Sequence, residues 1–561
     1  MRFSKQLATA SLVTSALAAN LTYSSKGSNV SYPVTLNGIN LLSATGQEIA
    51  EALASKTLTS LDLVNAYIAR QEANDHQGLK LRSVIEIAPT AREVAAQLDA
   101  ERANGTVRSV LHGVPILVKD NYNTDPELGL NTTAGSYSLL GQTAVGDAFV
   151  ISQLRNAGVL ILGKANLNEF AGEVGRSNSS GWSPRGGQMS AAYVIGGFDA
   201  GGDPSGSSGG SAISVSAGFA AFSLGTDTEG SITFPANRAA LYGLRPSTGL
   251  TSRTGVVPIS SSQDTTGPLA KSTWDLAALL GLMADYDEND SYSLAAEPYR
   301  KTNYTQYLVD NGFKGLRIGI PRYPFYNTTV TGMRDAIPPA IDAAIEKLRE
   351  LGATIIDPVT LPNAEDYTYT FPGQAVRDNN ATIVLPRGSP KMDEANCESL
   401  VVEYDVKTDM ADYLQTQLVN SSITTLEDIV NFNEENSDLE FPAGQCCQAT
   451  FVAADQTGDR ATSGEYWLAK WHQDRLNTEG MDVTERQNDL DLFLVPTEGL
   501  ASRMGAVGRR PVGTVPLGYD DINLPFGMAF VGKQYDEPTV LRAMWAYEQA
   551  FPKRALPPTL D

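Results

Sequence analysis

Four short stretches constrain the fold most. They are Val114-Pro115-Ile116-Leu117-Val118, Val159-Leu160-Ile161-Leu162-Gly163, Leu316-Arg317-Ile318-Gly319-Ile320-Pro321 and Leu492-Phe493-Leu494-Val495-Pro496. Strands this apolar, with so little alternation, need cover on both faces. The chain supplies that cover. Residues 46–72, 91–104 and 336–351 carry helical spacing, and the last of these feeds a further strand at Ala353-Thr354-Ile355-Ile356. Strands alternating with helices predict an α/β fold, with a central mixed, mostly parallel twisted sheet covered by helices. A length of 561 residues allows up to four domains. With no internal repeat and no Pro/Ser-rich linker, a single large domain over 20–561 is expected. Residues 384–480 are more polar and helical and read as a cap or insertion on it. Residues 285–298 are polar and acidic and read as a surface loop.

The N-terminus reads as a secretory signal over residues 1–19. Arg2 and Lys5 precede a mildly apolar run that ends in Ala16-Leu17-Ala18-Ala19. Asn-x-Ser/Thr acceptors occur at Asn20, Asn29, Asn104, Asn131, Asn178, Asn289, Asn303, Asn327, Asn380 and Asn420. Together these features predict an exported, N-glycosylated protein. No other stretch approaches the roughly 18–20 apolar residues that span a bilayer. In an oxidising compartment a bridge from Cys397 to Cys446 or to Cys447 is expected, and the sequence does not choose between them.

Charge and composition exclude several function classes. Against 42 Lys plus Arg stand 64 Asp plus Glu, a formal net charge of −22. Such acidity argues against binding nucleic acid or an anionic membrane. Only three His and three Cys are present, too few to favour Cys/His metal clusters or a disulfide scaffold.

The chemistry concentrates in Ser205-Gly206-Ser207-Ser208-Gly209-Gly210-Ser211, which is followed by an alanine-rich run suited to a buried helix. Small residues here fit a loop that something must approach closely. A second small-polar loop follows, Gly225-Thr226-Asp227-Thr228-Glu229-Gly230-Ser231-Ile232. The apolar flanks argue against a flexible linker. The absence of a Gly-Lys-Ser/Thr ending argues against a phosphate loop. Gly206-x-Ser208-x-Gly210 matches a nucleophile elbow in form, but that reading requires a catalytic histidine. The only histidines are His76, His112 and His472. His112, before the first apolar strand, reads as structural.

The segment 206–246 resembles the signature of the amidase signature family of serine hydrolases. Gly113-Val114-Pro115-Ile116-Leu117-Val118-Lys119-Asp120-Asn121 resembles that family's lysine motif. Ser207/Ser208 and Ser231 stand at its two serine positions, with the family's spacing. Leu244-Arg245-Pro246-Ser247-Thr248-Gly249 and Gln263-Asp264-Thr265-Thr266-Gly267-Pro268 match its following segments. The likeness continues to Asp491–Thr497 and Leu524-Pro525-Phe526-Gly527. Within the family, Gly181–Gln188 and Ser252–Ser260 are similar to segments of the peptide amidase group.

The resemblance implies Ser231 as nucleophile, Lys119 as base, and Ser207, in a cis peptide, as the bridge between them. It implies an oxyanion site made by the backbone N–H groups of Thr228, Glu229, Gly230 and Ser231, with Ser208 beside them and Asp227 and Asp264 as supports. A lysine can serve as base only when burial lowers its pKa. Many family members carry Gly at the position of Glu229 and Arg at that of Thr233, which leaves open what supports this loop. The implied activity is hydrolysis of small-molecule or peptide amides, C-terminal peptide amides in particular, with no cofactor. An esterase or carbamate hydrolase using the same site, and an inactive secreted glycoprotein of the same fold, are the alternatives. Oligomeric state is not legible.

Overall fold

The computed structural model describes residues 21–24, 32–175, 180–367 and 394–560. The expected signal segment 1–19 lies outside these, as do Asn20, Asn29, Asn178 and Asn380.

An eleven-stranded sheet forms the centre. In chain order its strands are β1 (Val84–Ile87), β2 (Pro115–Lys119), β3 (Leu160–Ala165), β4 (Phe222–Asp227), β5 (Tyr242–Arg245) and β6 (Thr265–Ala270). They continue with β7 (Arg317–Gly319), β8 (Thr354–Ile356), β9 (Leu492–Pro496), β10 (Val512–Tyr519) and β11 (Pro525–Gly532). Across the sheet they run β8-β7-β9-β11-β10-β5-β6-β4-β2-β3-β1. Every residue of β2, β3, β4, β6, β9 and β11 is buried, as runs without alternation require.

The sheet is mixed, as expected, but parallel pairing is the minority within it. Only β2/β4, β2/β3, β7/β8 and β7/β9 are parallel, and the other six neighbouring pairs are antiparallel. A short apolar run has the same composition in either direction, so direction is set by the connections and not by the strand residues.

Helices cover the sheet. They include α1 (Ser60–Asn74), α2 (Gly209–Ser216), α3 (Thr233–Arg238), α4 (Thr273–Met283) and α5 (Ile337–Glu350). In α5, Ile337, Ile341, Ala344, Ile345 and Leu348 are buried, a single stripe at helical spacing. The 46–72 pattern resolves into two helices, because Thr59 opens α1 with a capping box to Asp62. Arg70 then ties α1 inward. Its guanidinium donates to the carbonyls of Pro33, Ala217 and Gly218 at 2.7–2.9 Å. His112 is buried and its Nε2 lies 3.0 Å from the Leu98 carbonyl, a structural placement.

Within the 384–480 region the described residues are largely helical. They contain α6 (Glu394–Thr416) and α7 (Gly464–Arg475). A core of its own joins this region to the body, with Val406, Met410 and Phe451 packing together with Phe170, Val257 and Ile259.

Two expectations are corrected. Cys446 and Cys447 are bonded to each other, not to Cys397. Adjacent residues meet whatever the rest of the chain does, whereas a bridge to Cys397 needs the start of α6 to reach this loop. The acidic 285–298 stretch is partly interior. Asp287 and Asp290 are buried, accepting from the Ser252 hydroxyl and the Arg253 guanidinium. No helix among the described residues is long and apolar enough to cross a membrane.

Candidate active site

β2 and β4 run parallel, with Val118 opposite Leu224. Their carboxyl ends therefore open on the same side, where α/β sheets place their ligands. Lys119 is the last residue of β2, and Thr226 and Asp227 end β4. The glycine-serine loop enters α2 beside them, and its small residues are demanded by contact. A Cβ on Gly206 would stand 2.3 Å from Asn168 Oδ1, and one on Gly210 would stand 2.4 Å from the carbonyls of Ser83 and Asn166. The Gly206–Ser207 peptide is cis, as the resemblance implies.

Lys119 is fully buried. Its Nζ lies 2.7 Å from Ser207 Oγ, 2.8 Å from Thr226 Oγ1 and 3.3 Å from the Thr226 carbonyl. Burial pulls its pKa down to about 7, against the opposing pull of Asp227 and Asp264. Asn121 Nδ2 donates to the same Thr226 Oγ1 at 2.9 Å, which fixes that hydroxyl. The serine segments are held together by backbone, since Ser208 N–H donates to the Ser231 carbonyl at 3.1 Å. The Ser208 hydroxyl donates to the Thr226 carbonyl at 3.1 Å. Ser231 sits at 9% exposure, a nearly dry position that still has an opening.

The loop from Thr228 to Ser231 is shaped by two carboxylates. Asp227 accepts from Gly230 N–H at 2.8 Å and from Ile232 N–H at 2.7 Å. Asp264 accepts from Thr228 Oγ1 at 2.6 Å and from the N–H groups of Ile259 and Ser260. Burial pushes the Asp264 carboxyl up to about 6. Gly230 is thereby corrected as an oxyanion donor, because its N–H is engaged by the Asp227 carboxylate. The expected donors Thr228, Glu229 and Ser231 remain on the loop that this bond shapes. Gly230 itself has a φ of +83°, which suits glycine.

The structure also supplies the support that the sequence left open. Arg245, fully buried at the end of β5, donates to Asp227 Oδ1 and to the Asp227 carbonyl at 2.7 Å each, and to the Gln263 carbonyl at 2.6 Å. The Glu229 side chain accepts from Ser502 Oγ at 2.9 Å and lies 3.5 Å from Arg503 Nε. Both partners belong to Ala501–Gly508. Arg245 lies within a motif legible in the sequence, although its partner is not. Ser502 and Arg503 carried no signal at all. A cavity of about 470 Å³ borders this arrangement through Asn121, Thr226, Thr228 and Asp264, and α6 lines it from the other side.

This geometry has known counterparts. The family model Amidase matches residues 62–436. A protein of Arabidopsis thaliana described as a probable amidase is 36% identical over 510 residues, 90% of each chain. The crystal structure of the peptide amidase from Stenotrophomonas maltophilia superposes with a TM-score of 0.79 at 34% identity, covering 92% of this chain and 98% of that one. That of an amidase family protein from Bacillus anthracis superposes with a TM-score of 0.78 at 30% identity, covering 92% of both chains. The chain belongs to the amidase family and is a hydrolase of carbon–nitrogen bonds.

Arg245→Met leaves the Asp227 carboxylate buried without its cation. Removing one partner of a buried pair costs about 3–5 kcal/mol. Denaturant unfolding is expected to show that loss, and Asp227→Asn added to Arg245→Met is expected to recover part of it. Additive losses in the double variant would contradict the pairing.

Proposed function

We propose that the protein hydrolyses linear carboxamides, with C-terminal peptide amides as the favoured class, through an acyl-enzyme on Ser231. The reading rests above all on one observation, the Lys119 amine 2.7 Å from Ser207 Oγ in a site that lowers its pKa to about 7. A neutral amine there accepts a proton from Ser207, while Ser207 takes one from Ser231 as its oxygen attacks the amide carbon. The carbonyl oxygen becomes an oxyanion, facing the N–H groups of the loop after Asp227. Each such donor is worth about 3–4 kcal/mol in the transition state. The proton returns through Ser207 to the departing nitrogen as the C–N bond breaks. Water then attacks the ester by the same relay and frees Ser231. Asp227 and Asp264 hold the loop rather than touch the reacting atoms. The preference for peptide amides is supported by the peptide amidase likeness over nearly the whole chain.

The chain is also read as exported and glycosylated, from its N-terminal segment and its acceptor sites. Asn104, Asn303, Asn327 and Asn420 are exposed, whereas the Asn131 amide donates to the Glu86 carboxylate.

Three outcomes test this reading. Ser231→Ala is expected to abolish amide turnover and labelling by a fluorophosphonate, and retained activity would overturn the assignment. With Lys119 as base, its deprotonated form is the active one. The kcat/KM is therefore expected to rise with pH up to about 7 and level above it. Two pH units lower it should fall about a hundredfold, while a profile peaking in acid would exclude a lysine base. Expressed in a secretory eukaryotic host, the protein is expected to lose residues 1–19 and to drop in mass with peptide N-glycosidase. An intact N-terminus and unchanged mass would refute export.

A further inference from the structure

The cavity beside the site is shared between the body and the helical insertion. Asn121, Thr226 and Thr228 line it from the catalytic side, the 253–266 segment lines it next, and Asp409, Asp412 and Tyr413 of α6 contribute from the insertion. Its volume of about 470 Å³ lies within the ordinary range for small-ligand sites.

The charge of this lining is lopsided. Four carboxylates, Asp264, Asp290, Asp409 and Asp412, face two guanidinium groups, Arg253 and Arg460. Both guanidiniums are committed. Arg253 holds Asp290 through Nε at 2.8 Å and through Nη2, and donates to the Ser261 carbonyl. Arg460 Nη1 is shared between Asp405 at 2.8 Å and Asp409 at 2.7 Å. Asp264 and Asp412 form no ion pair among the described residues, and Asp412 is exposed. Neither guanidinium in this lining is without a carboxylate partner.

A second observation points the same way. Asn121 is 3% exposed, and its Oδ1 is buried with no hydrogen-bond partner among the described residues. Its Nδ2 donates to Thr226 Oγ1 at 2.9 Å. A buried acceptor without a donor is unfavourable, and a ligand N–H would satisfy it. The cavity therefore offers one acceptor without a donor, Asn121 Oδ1, and more carboxylates than guanidiniums, directly beside the expected oxyanion loop.

We propose that this cavity receives a cationic side chain of the amide substrate, a guanidinium or ammonium group. The protein would thus prefer peptide amides with a basic residue near the scissile amide. This preference rests on the peptide amide reading above and deepens it.

The experiment uses N-acetylated amides of arginine, norleucine and glutamate, so that only side-chain charge varies. The full-length protein is expected to show kcat/KM for the arginine amide roughly tenfold above that for the norleucine amide, with the glutamate amide lowest. In Asp412→Asn the arginine-to-norleucine ratio should fall several-fold, and in Asp412→Lys it should fall further. Binding is read separately, by calorimetric titration of the same amides into Ser231→Ala. Preferential binding of the arginine amide to Ser231→Ala, without turnover of any amide by the unaltered protein, would sink the hydrolase reading and leave the cation site standing. Equal turnover of all three amides with equal binding would leave the hydrolase reading and remove the cation site. Binding of the arginine amide no tighter than the norleucine amide overturns the proposal whatever the rates.

Discussion

The structure depends on keeping one lysine dry. Lys119 ends a strand whose five residues are all buried, and its amine meets hydroxyls and a carbonyl instead of a carboxylate. Desolvation then dominates, and the pKa settles near 7. Lys164, on the neighbouring strand β3, shows how much the partners matter. It is equally buried, yet Asp120 lies 4.0 Å from it and its pKa falls only to about 8. The difference has a thermodynamic consequence. The folded-state pKa of Lys119 lies below its unfolded value, so unfolding takes up a proton between about pH 7 and its ordinary 10.5. Stability contributed at this site therefore rises with pH through that window and is lower at neutral pH. An amine that titrates near neutrality comes at the expense of folding free energy.

The mixed sheet makes that position possible. β2 and β4 are parallel and deliver Lys119 and Thr226 to one edge, while antiparallel β6 lies on the other side of β4 and pairs Thr265 with Asp227. Asp264, one residue earlier, thereby reaches Thr228. β5, antiparallel to β6, ends in Arg245, which returns to Asp227. The Thr228–Ser231 loop is thus fixed by three strands through two carboxylates and one arginine. The glycine-serine loop is fixed by backbone bonds with Asn166 and Asn168 and by the Ser208 hydroxyl on the Thr226 carbonyl. Both loops are thereby tied to β4 and joined directly by the Ser208–Ser231 backbone bond.

Much of this was legible in the sequence, for a physical reason. Strands buried on both faces cannot hide their apolar runs, so β2, β3, β7 and β9 stand out, and α5 announces itself by its stripe. Lys119, Ser207 and Ser231 are legible because a motif carries them at fixed spacing. What was not legible depends on partners far away in the chain. Strand direction follows from connections. The engagement of Gly230 N–H depends on where the Asp227 side chain turns. The support of Glu229 comes from Ser502 and Arg503, some 270 positions later and in a helix with no distinguishing composition. Asp290 looked like part of a solvated acidic loop because its partner, Arg253, is invisible to a local reading.

These distant partners also divide the labour within the molecule. Lys119 and Asp227 end buried strands of the sheet, where a change of volume or charge is expensive. The far wall of the cavity belongs to α6 and its surroundings, which join the body through a separate apolar core around Val257 and Ile259. Polar residues on that wall, such as the exposed Asp412, contact solvent and can change without disturbing Lys119, Ser207 or Asp227. The cavity wall and the Lys119–Ser207 pair therefore sit on different cores, and the 257–264 segment is one of the links between them. That segment packs on the insertion through Ile259 and holds Thr228 through Asp264. A shift of α6 would reach the Thr228–Ser231 loop by this path, because the backbone N–H groups of Ile259 and Ser260 help to orient the Asp264 carboxylate that Thr228 bonds.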